Sequence, residues 1–247
     1  MDTLSTIAAQ EFYLKQFNED GVFVFRQLLD AEKIQIITNE IIKIRQVVMA
    51  KIAAMERPLK TYSDIAEREL GRLDYRCGFT SELFNKIAEP VVSLIAQLSP
   101  RIDFRYYWGA IPSLGGSGPT PIHRDVYSIV NTIAGNNLDA LDISLPPYYF
   151  TVLIPLVDIN EHNGPTRFIK GSHKHPVVNE NAAQLYAPLL SPGDIVIFDG
   201  RTLHQGSANN TRNERMVAYI TFAANWYHDQ TFVINDYLFP ELAIPGR

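Results

Sequence analysis

Apolar residues at Ile34, Ile37, Ile41, Ile44 and Val48 recur every three or four positions, the spacing of one face of an α-helix. Asp30 stands just before that stripe and is the expected N-cap. A second stripe, Leu83, Ile87, Val91 and Leu94, predicts another helix from about Ser81, which Pro90 should bend or split. Ahead of both, Val22 to Phe25 follows a Gly turn and reads as a short strand.

From residue 103 the period changes. "DFRYYWGAIP", "YYFTVLIPLVD", "DIVIF" and "MVAYITFAA" are short, β-branched and aromatic runs, with Gly, Pro and Asn between them. "PGD" at 192–194 reads as a turn into the strand Ile195 to Phe198. Several strands after a helical start predict a sandwich or jelly roll with helices packed on one outer face. A doubly wound fold is disfavoured, because strands and helices do not alternate and no Gly-rich phosphate loop follows a strand. No repeat, low-complexity stretch or linker interrupts the chain. One domain over 1–247 is therefore expected, helix-rich over 1–100 and β-rich over about 101–225.

Composition narrows this picture mainly by exclusion. The 247 residues carry a net charge of −5, which gives no electrostatic pull toward nucleic acid or an anionic membrane. The single cysteine, Cys77, rules out an internal disulfide or a Cys-rich metal site and reads as a small buried residue. The opening "MDTLSTIAAQEF" lacks the basic flank and apolar core of a secretion signal, and no apolar run nears the roughly 20 residues of a membrane span. A cytoplasmic protein acting on a small molecule is the expectation, with oligomeric state left open.

The candidate chemistry lies in two distant segments. "TPIHRDVYSI" holds His123 and Asp125. Alone the pair could be two polar residues at a turn, but in extended backbone both would face inward while Arg124 faces away. "SPGDIVIFDGRTLHQGSANNTRNERMVAYITF" supplies His204 and then Arg215 at the mouth of another strand. Two neutral imidazoles and one carboxylate suit Fe(II) and leave three adjacent positions open. An inward Arg215 could hold a carboxylate through two hydrogen bonds.

With these residues the sequence resembles the Fe(II)- and 2-oxoglutarate-dependent oxygenases, specifically the phytanoyl-CoA dioxygenase-like branch. "FNEDGVFVFRQLLDAEKI", "DINEHNGPTRFIKGSHK" and "PGDIVIFDGRTLHQGSANNTRNER" resemble further family blocks, in family order. The resemblance implies a double-stranded β-helix, or cupin-like jelly roll, mainly β with flanking α-helices. It implies His123, Asp125 and His204 as catalytic iron ligands and Arg215 on the distal carboxylate of 2-oxoglutarate. Thr120 falls at a family co-substrate contact where many relatives have Gln. Where some relatives carry a hydroxyl two residues after the distal histidine, this chain has Gly206, with Ser207 beside it. Dioxygen and 2-oxoglutarate would be co-substrates, giving succinate and CO2 with hydroxylation of an unactivated C–H bond. Desaturation, epoxidation and cyclisation can follow from the same radical chemistry.

Tyr127, Tyr107 and Arg167 are candidate substrate contacts, though strand aromatics more often pack the core and an arginine after "NGPT" is more simply a solvated residue. The long segment 127–147, mixed in Asn, Gly, Leu and Pro, reads as a lid. His173 and His175 form a His-x-His pair without a carboxylate at ligand spacing, so a solvated or structural role is expected. The chain shows no recognisable CoA patch or carrier-protein docking feature. That points to a small free metabolite, a natural-product intermediate or amino-acid derivative. Two competing functions are a non-redox or degenerate jelly-roll binding protein and a cupin-type metalloenzyme that does not use 2-oxoglutarate. The latter would have no need of Arg215.

Overall fold

Two antiparallel sheets face each other in the computed structural model, which describes residues 7–54, 65–69, 71–76, 82–126, 145–175 and 185–227. The chain runs through α1 (Ile7–Asp20), β1 (Val22–Phe25), α2 (Ala31–Ala53), β2 (Ile65–Glu69), β3 (Arg72–Tyr75), α3 (Glu82–Leu98) and β4 (Phe104–Ser113). It continues through β5 (Tyr149–Pro155), β6 (Thr166–Ile169), β7 (Leu185–Tyr186), β8 (Ile195–Asp199), β9 (His204–Gly206) and β10 (Arg215–Ala224). The large sheet has the order β1-β8-β5-β10-β4-β3-β2, and the small one β7-β6-β9.

Side-chain alternation along the long strands explains the layering. On β10, Met216, Ala218, Ile220 and Phe222 join the main apolar core, whereas Arg215, Val217, Tyr219 and Thr221 line a cavity on the opposite face. On β5, Phe150, Val152 and Ile154 go to the core and Tyr149, Thr151 and Leu153 to the cavity. Helices cover the core face. Ile34, Ile37, Ile41 and Val48 of α2 and Phe84, Ile87, Val91 and Leu94 of α3 are buried there. Each such side chain contributes about 1.5–3 kcal/mol on burial.

The expected cap is present: Asp30 accepts a hydrogen bond from the Lys33 amide at 2.8 Å. Two helical details differ from expectation. Leu83 is 41% exposed, and the neighbouring Phe84 takes the core position instead. Of the bend or split expected at Pro90, the split is absent, since α3 runs through it unbroken. Ile87 and Ala88 before the proline and Val91, Leu94 and Ile95 after it are buried in the same core, which offsets the roughly 3 kcal/mol that an interior proline costs.

The first hundred residues are less purely helical than expected. β2 and β3 form a hairpin that extends the large sheet through β4, with Arg72 opposite Ser113 and Tyr75 opposite Ala110. At the α1–β1 junction Gly21 has φ +72, and a Cβ there would overlap His173 Nδ1 and Thr202 Oγ1. This tight turn seats β1 beside β8 and against the segment that leads into β9. No described helix is long and apolar enough to cross a membrane. Cys77 and most of the expected lid at 127–147 lie outside the described residues.

Candidate active site

Backbone pairing brings the two chemical motifs together. The His123 amide donates to the His204 carbonyl and the His204 amide to the His123 carbonyl, both at 2.9 Å. Thr120 is held to the other end of β9, its amide donating to the Gly206 carbonyl at 3.0 Å. The Arg124 guanidinium donates to the carbonyls of Ser172, Arg201 and His175.

One ligand atom from each of His123, Asp125 and His204 lies within 4.8 Å of the other two. Asp125 Oδ1 is 3.4 Å from His204 Nε2 and 3.9 Å from His123 Nε2. The outer ring nitrogens fix how the imidazoles present themselves. His123 Nδ1 meets the Pro121 carbonyl at 2.8 Å and His204 Nδ1 the Thr202 carbonyl at 3.0 Å. A carbonyl can only accept, so in the neutral ring each Nδ1 carries the proton and each Nε2 lone pair faces the centre. Burial alone would raise the Asp125 carboxyl, but the imidazoles of His204 and His123 and the Thr151 hydroxyl outweigh it. Together they hold Asp125 well below the usual carboxylate range. This donor set, two nitrogens and one carboxylate oxygen on one side of a shared point, fits a ferrous ion.

These groups open into a cavity of about 390 Å³. At one end lies a row of three cross-strand neighbours, Arg72 opposite Ser113 opposite Arg215. Arg215 is buried and donates to the carbonyls of Gly164 and Asn163 and to Ser113 Oγ. Arg72 is equally buried and donates to the carbonyls of Ser207 at 2.7 Å and Gly118 at 3.1 Å. Among the described residues the Nε of each has no hydrogen-bond partner, and neither guanidinium has a carboxylate within ion-pair distance. Burial and the neighbouring Arg72 push Arg215 down to about 9. Glu69, opposite Arg72 on β2 and on the same cavity wall, offsets part of that charge, and two buried guanidiniums on one wall still leave net positive charge that suits an anion.

Arg72 was not singled out from the sequence, and it resolves the question raised by Gly206. A Cβ at position 206 would overlap Arg72 Nη1, so the missing side chain is the space through which Arg72 passes. Ser207 offers its carbonyl to Arg72, and its buried hydroxyl has no partner and does not line the cavity. Gly206→Ser is accordingly expected to displace Arg72 and cost about 1–3 kcal/mol, measured by denaturant unfolding.

The other candidates divide. Thr120 lines the cavity, and its hydroxyl oxygen accepts from the Gly206 amide at 2.9 Å. Tyr107 lines it too, with its hydroxyl 3.0 Å from that of Tyr149. Arg167 is corrected: it is exposed on β6 and does not line the cavity, because its neighbours Thr166 and Phe168 take the inward positions of that strand. Tyr127 lies outside the described residues. His173 is buried and bonded to the Asn18 carbonyl at 3.1 Å, well away from a ligand role. A further polar cluster was missed: Asp74 accepts from Tyr219 Oη at 2.8 Å and from Arg76 Nε at 2.9 Å, and all three line the cavity. Tyr219 reaches across β4 only because Gly109 leaves its ring room, since a Cβ there would overlap it.

The sequence profile of the Phytanoyl-CoA dioxygenase (PhyH) family matches residues 17–217. The iron/alpha-ketoglutarate-dependent dioxygenase penM of Penicillium thymicola is 27% identical over 201 residues. That match covers 79% of this chain and 62% of the relative, so the chain spans under two thirds of its length. The dioxygenase trt7 of Aspergillus terreus is 25% identical over 211 residues, covering 81% of this chain and 68% of that one. Among solved structures, the epimerase SnoN in complex with Fe3+, alpha ketoglutarate and nogalamycin RO superposes with a TM-score of 0.64 at 17% identity. That superposition covers 89% of this chain and 85% of SnoN. HygX from Streptomyces hygroscopicus, with nickel, 2-oxoglutarate and hygromycin B bound, also gives 0.64 at 14% identity, covering 94% and 96%.

Proposed function

The chain belongs to the phytanoyl-CoA dioxygenase family of Fe(II)- and 2-oxoglutarate-dependent dioxygenases, and from that premise we propose that it hydroxylates an unactivated C–H bond of a small natural-product intermediate. Succinate and CO2 are the co-products. The observation that carries the reading is one cavity with three convergent candidate ligands on its wall and two buried guanidiniums, Arg72 and Arg215, side by side across Ser113.

His123, Asp125 and His204 would hold the iron, and Arg215 with Arg72 would neutralise the carboxylate charge of 2-oxoglutarate. When bound, iron and 2-oxoglutarate together activate dioxygen, with decarboxylation of the keto acid supplying two electrons. The remaining work belongs to the chain. Tyr107, Tyr149, Ile111, Leu153, Phe198 and Val217 form a largely apolar wall that orients a substrate and keeps water away. The Asp74–Arg76–Tyr219 cluster adds one polar patch to that wall. Two structural neighbours are solved with the natural products nogalamycin RO and hygromycin B, which supports a substrate of that kind. A protein that merely bound an apolar ligand, or a cupin enzyme working without a keto acid, would gain nothing from two buried arginines on the wall that carries the ligand groups.

Anaerobic addition of Fe(II) and then 2-oxoglutarate is expected to give the weak visible charge-transfer band of an iron–keto acid chelate. A wild-type protein that binds Fe(II) but shows no band would overturn the co-substrate assignment. Succinate release screened over a metabolite panel, with product analysis by mass spectrometry, then identifies the substrate and separates hydroxylation from desaturation, epoxidation or cyclisation.

A further inference from the structure

We propose that Thr151 is a positioning residue that keeps Asp125 a one-oxygen ligand, and thereby holds open the coordination position dioxygen needs. The inference rests on the iron reading above. Asp125 presents its two oxygens to different neighbours. Oδ1 faces the two Nε2 atoms, whereas Oδ2 accepts a hydrogen bond from Thr151 Oγ1 at 2.6 Å. The carboxylate has no proton to give, so the threonine is the donor, and the short distance marks a charge-assisted bond.

The fold fixes this threonine firmly. Thr151 is buried in the middle of β5, opposite Thr221 of β10, which is in turn opposite Tyr107 of β4. Its hydroxyl therefore reaches Asp125 from a rigid strand and not from a loop. The counting argument then decides what the bond does. A six-coordinate ferrous ion with three protein atoms keeps three positions, two for a chelating keto acid and one for dioxygen. Were Asp125 to chelate through both oxygens, the keto acid would fill what remained. Engaging Oδ2 elsewhere prevents that, and Thr151 is the side chain that engages it.

Valine has the shape of threonine without the proton donor, so Thr151→Val separates positioning from packing, and Thr151→Ser restores the donor. Each variant is loaded anaerobically with Fe(II) and 2-oxoglutarate and then titrated with nitric oxide as a probe for the dioxygen position, read by electron paramagnetic resonance. Wild type and Thr151→Ser are expected to bind nitric oxide alike. Thr151→Val is expected to keep the keto-acid band and lose nitric oxide affinity by about tenfold or more, the scale on which outer partners of metal ligands act. If the valine chain does not fold, Thr151→Ala reports the same loss without the β-branched bulk. A donor-less variant that keeps the band and binds nitric oxide as wild type does would overturn the inference, and so would one that loses the band while retaining iron. A wild type with no band overturns the iron reading and this inference together.

Discussion

His204→Ala is expected to abolish iron loading and with it turnover, while leaving the fold intact. The two halves of this expectation come from different parts of the residue. The backbone of His204 makes the paired hydrogen bonds to His123, and alanine retains them, so the motifs stay in register. The imidazole offers one of the three candidate ligand atoms that converge among the described residues, and it packs on Phe198 with ring centroids 4.6 Å apart. Losing an outer partner of a ligand costs about 10–100-fold in metal affinity, and losing the ligand itself should exceed that range. Bound iron per chain, measured colorimetrically after desalting, and far-UV circular dichroism report the two halves separately. Added imidazole should occupy the vacated space and restore part of the iron content. An alanine variant that loads iron as fully as wild type would remove His204 from the site.

Arg215→Met is expected to weaken 2-oxoglutarate binding by about 100-fold or more, since truncating one partner of a buried charge pair costs 2–5 kcal/mol. Its effect on stability should be much smaller. Breaking a buried ion pair usually destabilises by 3–5 kcal/mol because a charge is left unpaired, but here the unpaired charge is the residue being removed. Burial pushes the Arg215 guanidinium down, and Arg72 adds repulsion. A cation whose folded value lies below its unfolded one is destabilising while charged, and stability would recover only as pH rises through about 9. At neutral pH the same relief must come from a bound anion. Wild type should therefore melt higher with 2-oxoglutarate present, and Arg215→Met should show no such gain while melting within about 2 kcal/mol of ligand-free wild type, the loss coming from the carbonyls of Gly164 and Asn163 left without a donor. Isothermal titration and thermal melts test both statements. Full affinity in the variant would transfer the anion role to Arg72 alone.

Much of the site could be read from residue order. His123, Asp125, His204 and Arg215 each lie in a run whose alternation or turn chemistry places them on a strand or at its end, and the apolar partners of those strands are unambiguous. Arg72, Asp74 and Arg76 were passed over for a physical reason. "RLDYR" alternates charged and apolar residues as an exposed edge strand does, because the pattern records only that one face is polar. Here that face looks into the cavity, whose other polar lining comes from segments far along the chain, such as His123 and Asp125, Thr151 of β5 and Arg215 of β10. For Arg167 the simpler of its two readings, a solvated residue, matches its exposed place on β6. Leu83 and Phe84 show the limit of helical periodicity, since two adjacent apolar residues near a helix start leave the burial face undetermined by one position.

The division of β10 into an oily side and a reactive side also bears on how such a chain can change. Met216, Ala218, Ile220 and Phe222 keep the ribbon anchored whatever stands between them. Evolution can redraw the wall at Val217, Tyr219 and Thr221 toward a new chemical target without loosening the scaffold. A one-residue insertion ahead of the strand would do the reverse, turning grease into the reaction chamber and charge into the helix layer, so spacing here is constrained far more tightly than identity.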